Sequence, residues 1–344
     1  MDSSSDAHGR HRCAACFRQF NKMEHLVEHM RAARHSPHEP RCCFCGKHCR
    51  TFEALRDHLG AGGSSLPKAA ACAADFAARG CRLCLRVASH RDCHCRQLAP
   101  PRPAAAAARG GGGGGARALA LGCKMVGAGS DGSLDVVARV CVVDEQENIQ
   151  FDAFVKPLIP VTHYRYETTG IRPEHLRAGA AGVTTVKAAM ERVQSLLLNG
   201  EQPWKVRTSR GAARLLVGHG LDHDLEALGM DYPAHLKRDT ATYPPLVKTS
   251  RLSNSLRFLT REYLGYEIQA RHQHPYDDCV AAMRLYQRMR RQGHPRGAGG
   301  GADEPAASAE QAFPAWRQRE LERMTPEELL RLSTPDYRCW CLDD

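Results

Sequence analysis

Residues 116–145, ARALALGCKMVGAGSDGSLDVVARVCVVDE, constrain the fold more than any other stretch. An apolar run from Ala118 to Leu121, continued by Met125 and Val126, breaks at Gly127-Ala128-Gly129-Ser130-Asp131-Gly132. A second run, rich in valine, follows from Leu134 to Val143. Strand-like runs with glycine between them predict a hairpin, and its apolar character predicts a place at the centre of a sheet.

The 344 residues leave room for one medium domain and small modules beside it. An apolar share of 42% supports a packed core. The net charge of +10 suits a polyanionic partner, and charge alone does not separate a nucleic acid from an acidic protein. The opening MDSSSDAHGRHR is polar, so no secretory signal is expected. No run approaches the ~20 apolar residues of a membrane span, so no membrane partner is expected.

The sixteen cysteines are unevenly spread, and eleven of them lie between Cys13 and Cys95, interleaved with histidines. Without a signal peptide, that mixture favours Zn²⁺ over disulfides. Cys13 and Cys16 are followed by twelve residues, His29, five residues and His35. A CxxC turn presents two thiolates, and the two histidines fall on one helix face. Phe20 and Leu26 would cover the ion with a core too small to stand alone. Zinc binding at such a site contributes on the order of 10–16 kcal/mol. A single finger contacts ~3 bp, which gives no basis for sequence-specific DNA reading.

Cys42 and Cys45 repeat the opening, with His58 after twelve intervening residues and Leu55 at the apolar position. No second histidine follows. Cys72 is the nearest remaining donor and would complete a Cys₃His site. Cys81, Cys84, His90, Cys93, His94 and Cys95 form a third cluster whose pairing spacing does not settle; spare thiols in a loop are the plainer reading. These boundaries divide the chain into a C2H2 finger at 1–36, an atypical finger-like region at 37–99, a linker at 100–115, a main domain at 116–292 and a tail at 293–344. The linker, PPRPAAAAARGGGGGG, is expected to be flexible, as is the Gly/Pro/Ala-rich stretch 296–309. Thr325-Pro326-Glu327-Glu328 reads as a capped helix start. Cys339-Trp340-Cys341 fits a docking patch or a weak metal site, and no function is assigned to it.

In the main domain, strands are predicted at Arg117–Gly127, Leu134–Asp144 and Asn148–Lys156. Pro173 opens a short helix through Leu176. Helical spacing runs from Thr184 to Leu198. Arg214–Gly218 reads as a buried strand, and Asp222 as the N-cap of a helix to Leu228. A short strand at Lys237–Thr240 and helices at Leu256–Leu264 and Tyr276–Arg291 follow. Three strands and then alternating helices and strands predict an α/β fold, a mixed sheet flanked by helices.

Four segments carry a resemblance. Ala120-Leu121-Gly122-Cys123-Lys124-Met125-Val126-Gly127 resembles a motif of the form ALDCEMVG. LVGHGLDHDLEAL, YDDCVAAMRLY and the stretch 161–176 match further motifs. The chain resembles the DEDDh 3′–5′ exonucleases of RNase H-like fold, most of all the small RNA exonucleases that include ribosomal-RNA-processing and interferon-stimulated members. Plant relatives join this domain to a C2H2 finger. The resemblance covers roughly Arg117–Arg291 and the finger region. It implies hydrolysis of RNA, and of single-stranded DNA as a further substrate, in the nucleus. It also implies two Mg²⁺ or Mn²⁺ ions ~3.5–4 Å apart, held by carboxylates on separate elements. Asp224 and Asp278 occupy metal-binding positions of the pattern, and a histidine near Asp278 would take a proton from water.

The chain departs from the pattern at three positions. Gly122 offers no ligand, Lys124 puts an ammonium where a carboxylate should stand, and Gln273 occupies the histidine position. An ammonium there could pair with Asp224 and Asp278 and fill the vacant cation site. His272 and His274 flank Gln273, so a shift of one residue would deliver an imidazole. His219 and His223 read as structural. Three readings stay open: a nuclease, a nuclease-fold protein that grips RNA without cutting it, and a scaffold whose fingers bind protein.

Overall fold

The glycine-broken hairpin forms the centre of a seven-stranded mixed sheet in a computed structural model of the chain. The structure describes residues 11–13, 18–32, 38–60, 67–87, 100–101, 116–177, 179–180, 182–204, 206, 211–248, 252–270, 272–292, 315–321, 323 and 337–343. The chain divides into two units, one of Met1–Cys81, Leu85–Val87 and Arg290–Asp344, the other of Arg82–Cys84 and Ala88–Met289.

In the second unit, β1 (Ala118–Ala128) and β2 (Leu134–Asp144) pair antiparallel. Gly129 and Gly132 take φ of +84° and +72° in the turn between them, a region open to glycine at little cost. β3 (Ile149–Lys156) continues the meander antiparallel to β2. β4 (Val161–His163) pairs with the far end of β1, and β5 (Val183–Thr185) runs parallel to β3. β6 (Leu215–Gly218) joins β1 in parallel, and β7 (Lys237–Asp239) joins β6 in parallel. The strand order is β7-β6-β1-β2-β3-β5, with β4 on β1.

β1 is buried along most of its length, which is why it reads as an apolar run rather than an alternation. Leu119 and Leu121 on one face enter a core with Val137, Val140, Val142 and Val155. Helices α2 (Val186–Leu198) and α3 (Leu221–Leu228) cover that face with Ala189, Val193, Leu197, Leu221, Leu225 and Leu228. A short helix, α1 (Tyr166–Thr169), precedes them. Residues of β1 alternate between faces, so Gly122 and Lys124 share the opposite one. Helices α4 (Leu256–Leu264) and α5 (Pro275–Arg290) come last, and α5 lies over Gly122.

Helix α5 is fastened to the β2–β3 turn by its own side chains. Arg284 donates to both carboxylate oxygens of Glu147 at 2.6 and 2.7 Å, a forked charge-assisted pair. Tyr276 donates to the Glu147 carbonyl at 3.2 Å and Gln287 to the Glu145 carbonyl at 2.7 Å. Cys279 reaches the Cys141 carbonyl of β2 at 3.3 Å. The helix therefore sits close to the sheet. A Cβ on residue 122 would stand 3.0 Å from Cys279 Sγ and 3.1 Å from the Pro275 carbonyl oxygen.

Several local expectations needed correction. Asp222 does not cap α3; Gly220, at φ +79°, is the N-cap, and Asp222 is exposed in the first turn, paired with Lys237 at 2.5 Å. The cap is supplied from β7, where Asp239 accepts from the Gly220 and Leu221 amides at 2.9 Å each. Pro173–Leu176 is a 3₁₀ turn. Thr184 belongs to β5, and Thr185 caps α2 through its side chain at 3.2 Å from Ala188 N. Strands β4 and β5 and helix α1 were not anticipated. The predicted helix from Thr325, the stretch 296–309 and most of the linker lie outside the described residues. Among the described residues no helix is long and apolar enough to cross a membrane.

Because backbone and a buried thiol bound the space over Gly122, Gly122→Ala should lower stability by about 1–3 kcal/mol, the usual cost of overfilling a packed site. Urea denaturation measures it, and the same change in a Cys279→Ala background should cost less because Sγ is gone.

Candidate functional site

Lys124 leaves the middle of β1 at a break in register: the β1–β2 pairing shifts between Lys124 and Met125. Such a bulge re-aims the side chains beside it. The lysine is 7% exposed, so its ammonium requires a partner. It donates to Asp278 Oδ2 on α5 and, at 3.2 Å, to Gln273 Oε1. The second oxygen of Asp278 accepts from Gln269 Nε2 at 2.9 Å. Gln269 holds a left-handed backbone at φ +59°, an uncommon conformation for a non-glycine residue.

Asp224 stands on the first turn of α3 beside Cys123. Burial pushes its carboxyl up to about 8, against opposing help from the Cys123 backbone and the Lys124 ammonium. Asp278 and Asp239 raise it further. Burial therefore favours the protonated carboxyl here well above the ordinary carboxylate range. Asp277, next to Asp278, is pushed up to about 6, by burial first and then by the neighbouring carboxylate.

The expected site residues are thus only partly brought together. Lys124 touches Gln273 and Asp278, a Cβ on residue 122 would lie 3.8 Å from the Asp278 Cβ, and Asp224 interacts electrostatically with Lys124 and Asp278. At the histidine position the chain presents the Gln273 amide, whose own backbone N–H is held by the Thr168 carbonyl at 2.6 Å. His272 is exposed and lies against Tyr166, ring centroids 5.1 Å apart. His274 is partly buried and its Nδ1 accepts from the Tyr276 amide at 3.2 Å. Burial holds the His274 imidazole below its ordinary range, so it is neutral at pH 7. His219 bonds Thr240 Oγ1 at 2.9 Å through Nδ1, while that hydroxyl donates to the Gly218 carbonyl at 2.9 Å. The imidazole must therefore donate, and burial again keeps it neutral. His223 and Arg165 both pair with Asp135, at 3.1 and 2.6 Å.

Asp239 and Gln269 were not anticipated. Asp239 ends a three-residue strand and reaches the start of α3; Gln269 precedes α5 in a loop. Neither has a spacing signature, and only the fold sets one beside α3 and the other beside Asp278.

Of the four motif positions, Asp224 and Asp278 carry the carboxylates that could meet a divalent ion, and Gly122 and Lys124 carry none. The β1 position that should supply a carboxylate is a glycine with α5 against it, and the next position on that face bears an ammonium on Asp278. Hard dications need several oxygen ligands with negative charge, and this space offers few.

In the first unit, Cys42, Cys45, His58 and Cys72 place their donor atoms within 4.8 Å of one another. His58 Nε2 lies 3.3 Å from Cys45 Sγ. Thr51 caps the helix Phe52–Leu59 that presents His58, and the helix Pro67–Arg79 presents Cys72. This donor set fits a tetrahedral Cys₃His zinc site. Of the first finger, Cys13 and His29 are buried, and Cys13 packs with Leu26 and Phe20 in a small cluster. Cys16 and His35 lie outside the described residues, as do His90, Cys93, His94 and Cys95. Cys81 and Cys84 are buried thiols.

The raised carboxyl of Asp224 gives stability a pH dependence. The folded state holds a proton there between the ordinary value of 3.8 and about 8, while the unfolded state has lost it. Stability should therefore fall as pH rises through that window and level off above it. Asp277 contributes in the lower part, up to about 6. In urea titrations without added divalent ions, Asp224→Asn should flatten the part of the slope between pH 6 and 8.

No family model matches the chain. Over 173 residues, 49% of this chain, it is 39% identical to RNA exonuclease 4 of Homo sapiens, covering 36% of that protein. Over 172 residues it is 34% identical to RNA exonuclease 4 of Saccharomyces cerevisiae, covering 49% of this chain and 53% of that one. The chain thus spans about a third to a half of these relatives' length. Among solved structures, the Neurospora crassa Pan2 catalytic unit, protease and nuclease domain, overlays with a TM-score of 0.40 at 21% identity, covering 50% of this chain and 26% of that one. The Saccharomyces cerevisiae Pan2 UCH-Exo module in complex with AAUUAA RNA gives a TM-score of 0.42 at 20% identity, covering 50% and 28%. Over about half its length, then, this chain is similar to proteins named RNA exonuclease 4.

Proposed function

We propose that this chain acts on RNA as a protein of the 3′–5′ exonuclease kind, with the strand end held at the space between β1, α3 and α5. The observation that carries the reading is the identity of 39% over 173 residues with a protein named RNA exonuclease 4, supported by the electrostatic interaction of Asp224 on α3 with Asp278 on α5. On this reading Asp224 and Asp278 face the reacting phosphate, His274 and His272 are the nearby imidazoles, and single-stranded DNA is a further substrate. The net charge of +10 supports a polyanionic partner. Nuclear residence belongs to the same reading.

A second reading is favoured by one contact. Lys124 on Asp278 neutralises a carboxylate that hydrolysis would use, which supports a domain that grips RNA without cutting it. The two readings share RNA binding and part at turnover.

We also propose that Cys42, Cys45, His58 and Cys72 hold one Zn²⁺, supported by their clustering within 4.8 Å, and that Cys13, Cys16, His29 and His35 hold another.

RNA labelled at its 3′ or 5′ end, with Mg²⁺ or Mn²⁺ present, tests the main proposal. Binding should weaken steeply as salt rises, as for any contact dominated by phosphates. Shortening from the 3′ end, abolished in Asp278→Ala, carries the exonuclease reading. Bound but intact RNA carries the second reading, and absence of RNA binding removes both. For the zinc, elemental analysis of Cys42→Ser should show about one ion fewer per chain than the native protein.

A further inference from the structure

Cys339-Trp340-Cys341 does not stand free at the end of the chain. His38 Nδ1 lies 3.2 Å from Cys341 Sγ, across 303 positions of sequence. The donor atoms of His38, Cys339 and Cys341 all fall within 4.8 Å of one another. Tyr337 fixes the approach by donating to the His38 carbonyl at 3.0 Å. The tail segment is itself shaped: Trp340–Leu342 forms a 3₁₀ turn, and Arg338 closes it by donating to Asp343 Oδ1 at 3.3 Å and the Leu342 carbonyl at 3.0 Å. Cys339 and Trp340 are buried, so the segment is packed rather than draped.

We propose that His38, Cys339 and Cys341 bind a Zn²⁺ ion that ties residues 337–343 to the segment just before Cys42. Two thiolates and an imidazole are the donor types that zinc selects. A tetrahedron with Zn–S of about 2.3 Å and Zn–N of about 2.0–2.1 Å has edges of about 3.5–3.8 Å. His38 Nδ1 and Cys341 Sγ at 3.2 Å are already inside that, and all three donors lie within 4.8 Å, so closing on an ion requires an inward movement of at most about 1 Å. The plainer reading, two thiols packed as small apolar groups, leaves the convergence of an imidazole on the same point without a role. This site is separate from the Cys42, Cys45, His58 and Cys72 cluster, and it does not depend on what the nuclease-like domain does.

The test compares the full chain with His38→Ala and with the double variant Cys339→Ser, Cys341→Ser. Elemental analysis of protein purified without chelator should show about one zinc fewer in each variant. Alkylation with iodoacetamide, read by mass spectrometry, keeps the result interpretable if a variant folds poorly. In the native chain, stripped of metal and then given zinc, Cys339 and Cys341 should be protected. In His38→Ala, protection should be lost at Cys339 and Cys341 and kept at Cys42 and Cys45. Unchanged zinc content in both variants overturns the proposal. So does an alkylation rate at Cys339 and Cys341 in the native chain that is the same with and without zinc.

Discussion

Helix α5 lies against β1 so closely that a Cβ on residue 122 would meet Cys279 Sγ at 3.0 Å and the Pro275 carbonyl oxygen at 3.1 Å. That closeness is enforced from the other edge of the helix, where Arg284, Gln287 and Tyr276 are anchored on the β2–β3 turn. Once the helix is there, its first turn carries Asp278 over the strand. A carboxylate in such a place needs a positive partner, and Lys124, two residues beyond Gly122 on the same face, supplies it. A missing side chain at one position and a long cationic one at the next are therefore coupled: the first admits the helix and the second neutralises what the helix brings. Changing either alone alters the environment of the other.

Three carboxyl groups crowd this space, and each loses its charge or has it balanced in a different way. Asp278 has an ammonium. Asp224 has a proton, because burial makes ionisation costly. Asp239 has the amide donors at the start of α3, where the helix dipole favours an anion. A phosphate approaching such a space meets less repulsion than it would from three bare carboxylates. On the proposed function, RNA binding then requires no divalent ion to screen the acids, whereas cutting would need donors that Gly122 and Lys124 do not offer.

Much of the sheet was legible because its strands are long, apolar and separated by glycine. The β1–β2 hairpin and the later helices follow from periodicity alone. What was missed was short or nonlocal. β4 and β5, three residues each, carry no period of their own and exist only because β1 and β3 offer edges to pair with. Asp222 looked like a cap because it precedes an apolar stretch, yet a left-handed Gly220 and a carboxylate from β7 do that work. At the site, the motif positions identified Asp224, Asp278 and the odd lysine. They did not show that the Gln273 side chain meets Lys124 while His272 lies against Tyr166 and His274 Nδ1 accepts from the Tyr276 amide, since that depends on the path of the loop before α5.

The cysteine-rich unit shows the same limit in another form. Cys42, Cys45, His58 and Cys72 could be grouped from sequence because two short helices carry the later donors back to the first pair. His38 with Cys339 and Cys341 could not, since no spacing rule reaches across 303 positions. The distance is not an energetic objection. The entropy of closing a loop grows only with the logarithm of its length, so each doubling costs about 0.6 kcal/mol. A metal site of long closure is thus little harder to form than a short one, and far harder to read. Where small modules have little apolar core, as in the cluster of Cys13, Leu26 and Phe20, the proposed zinc sites would supply stability that burial does not.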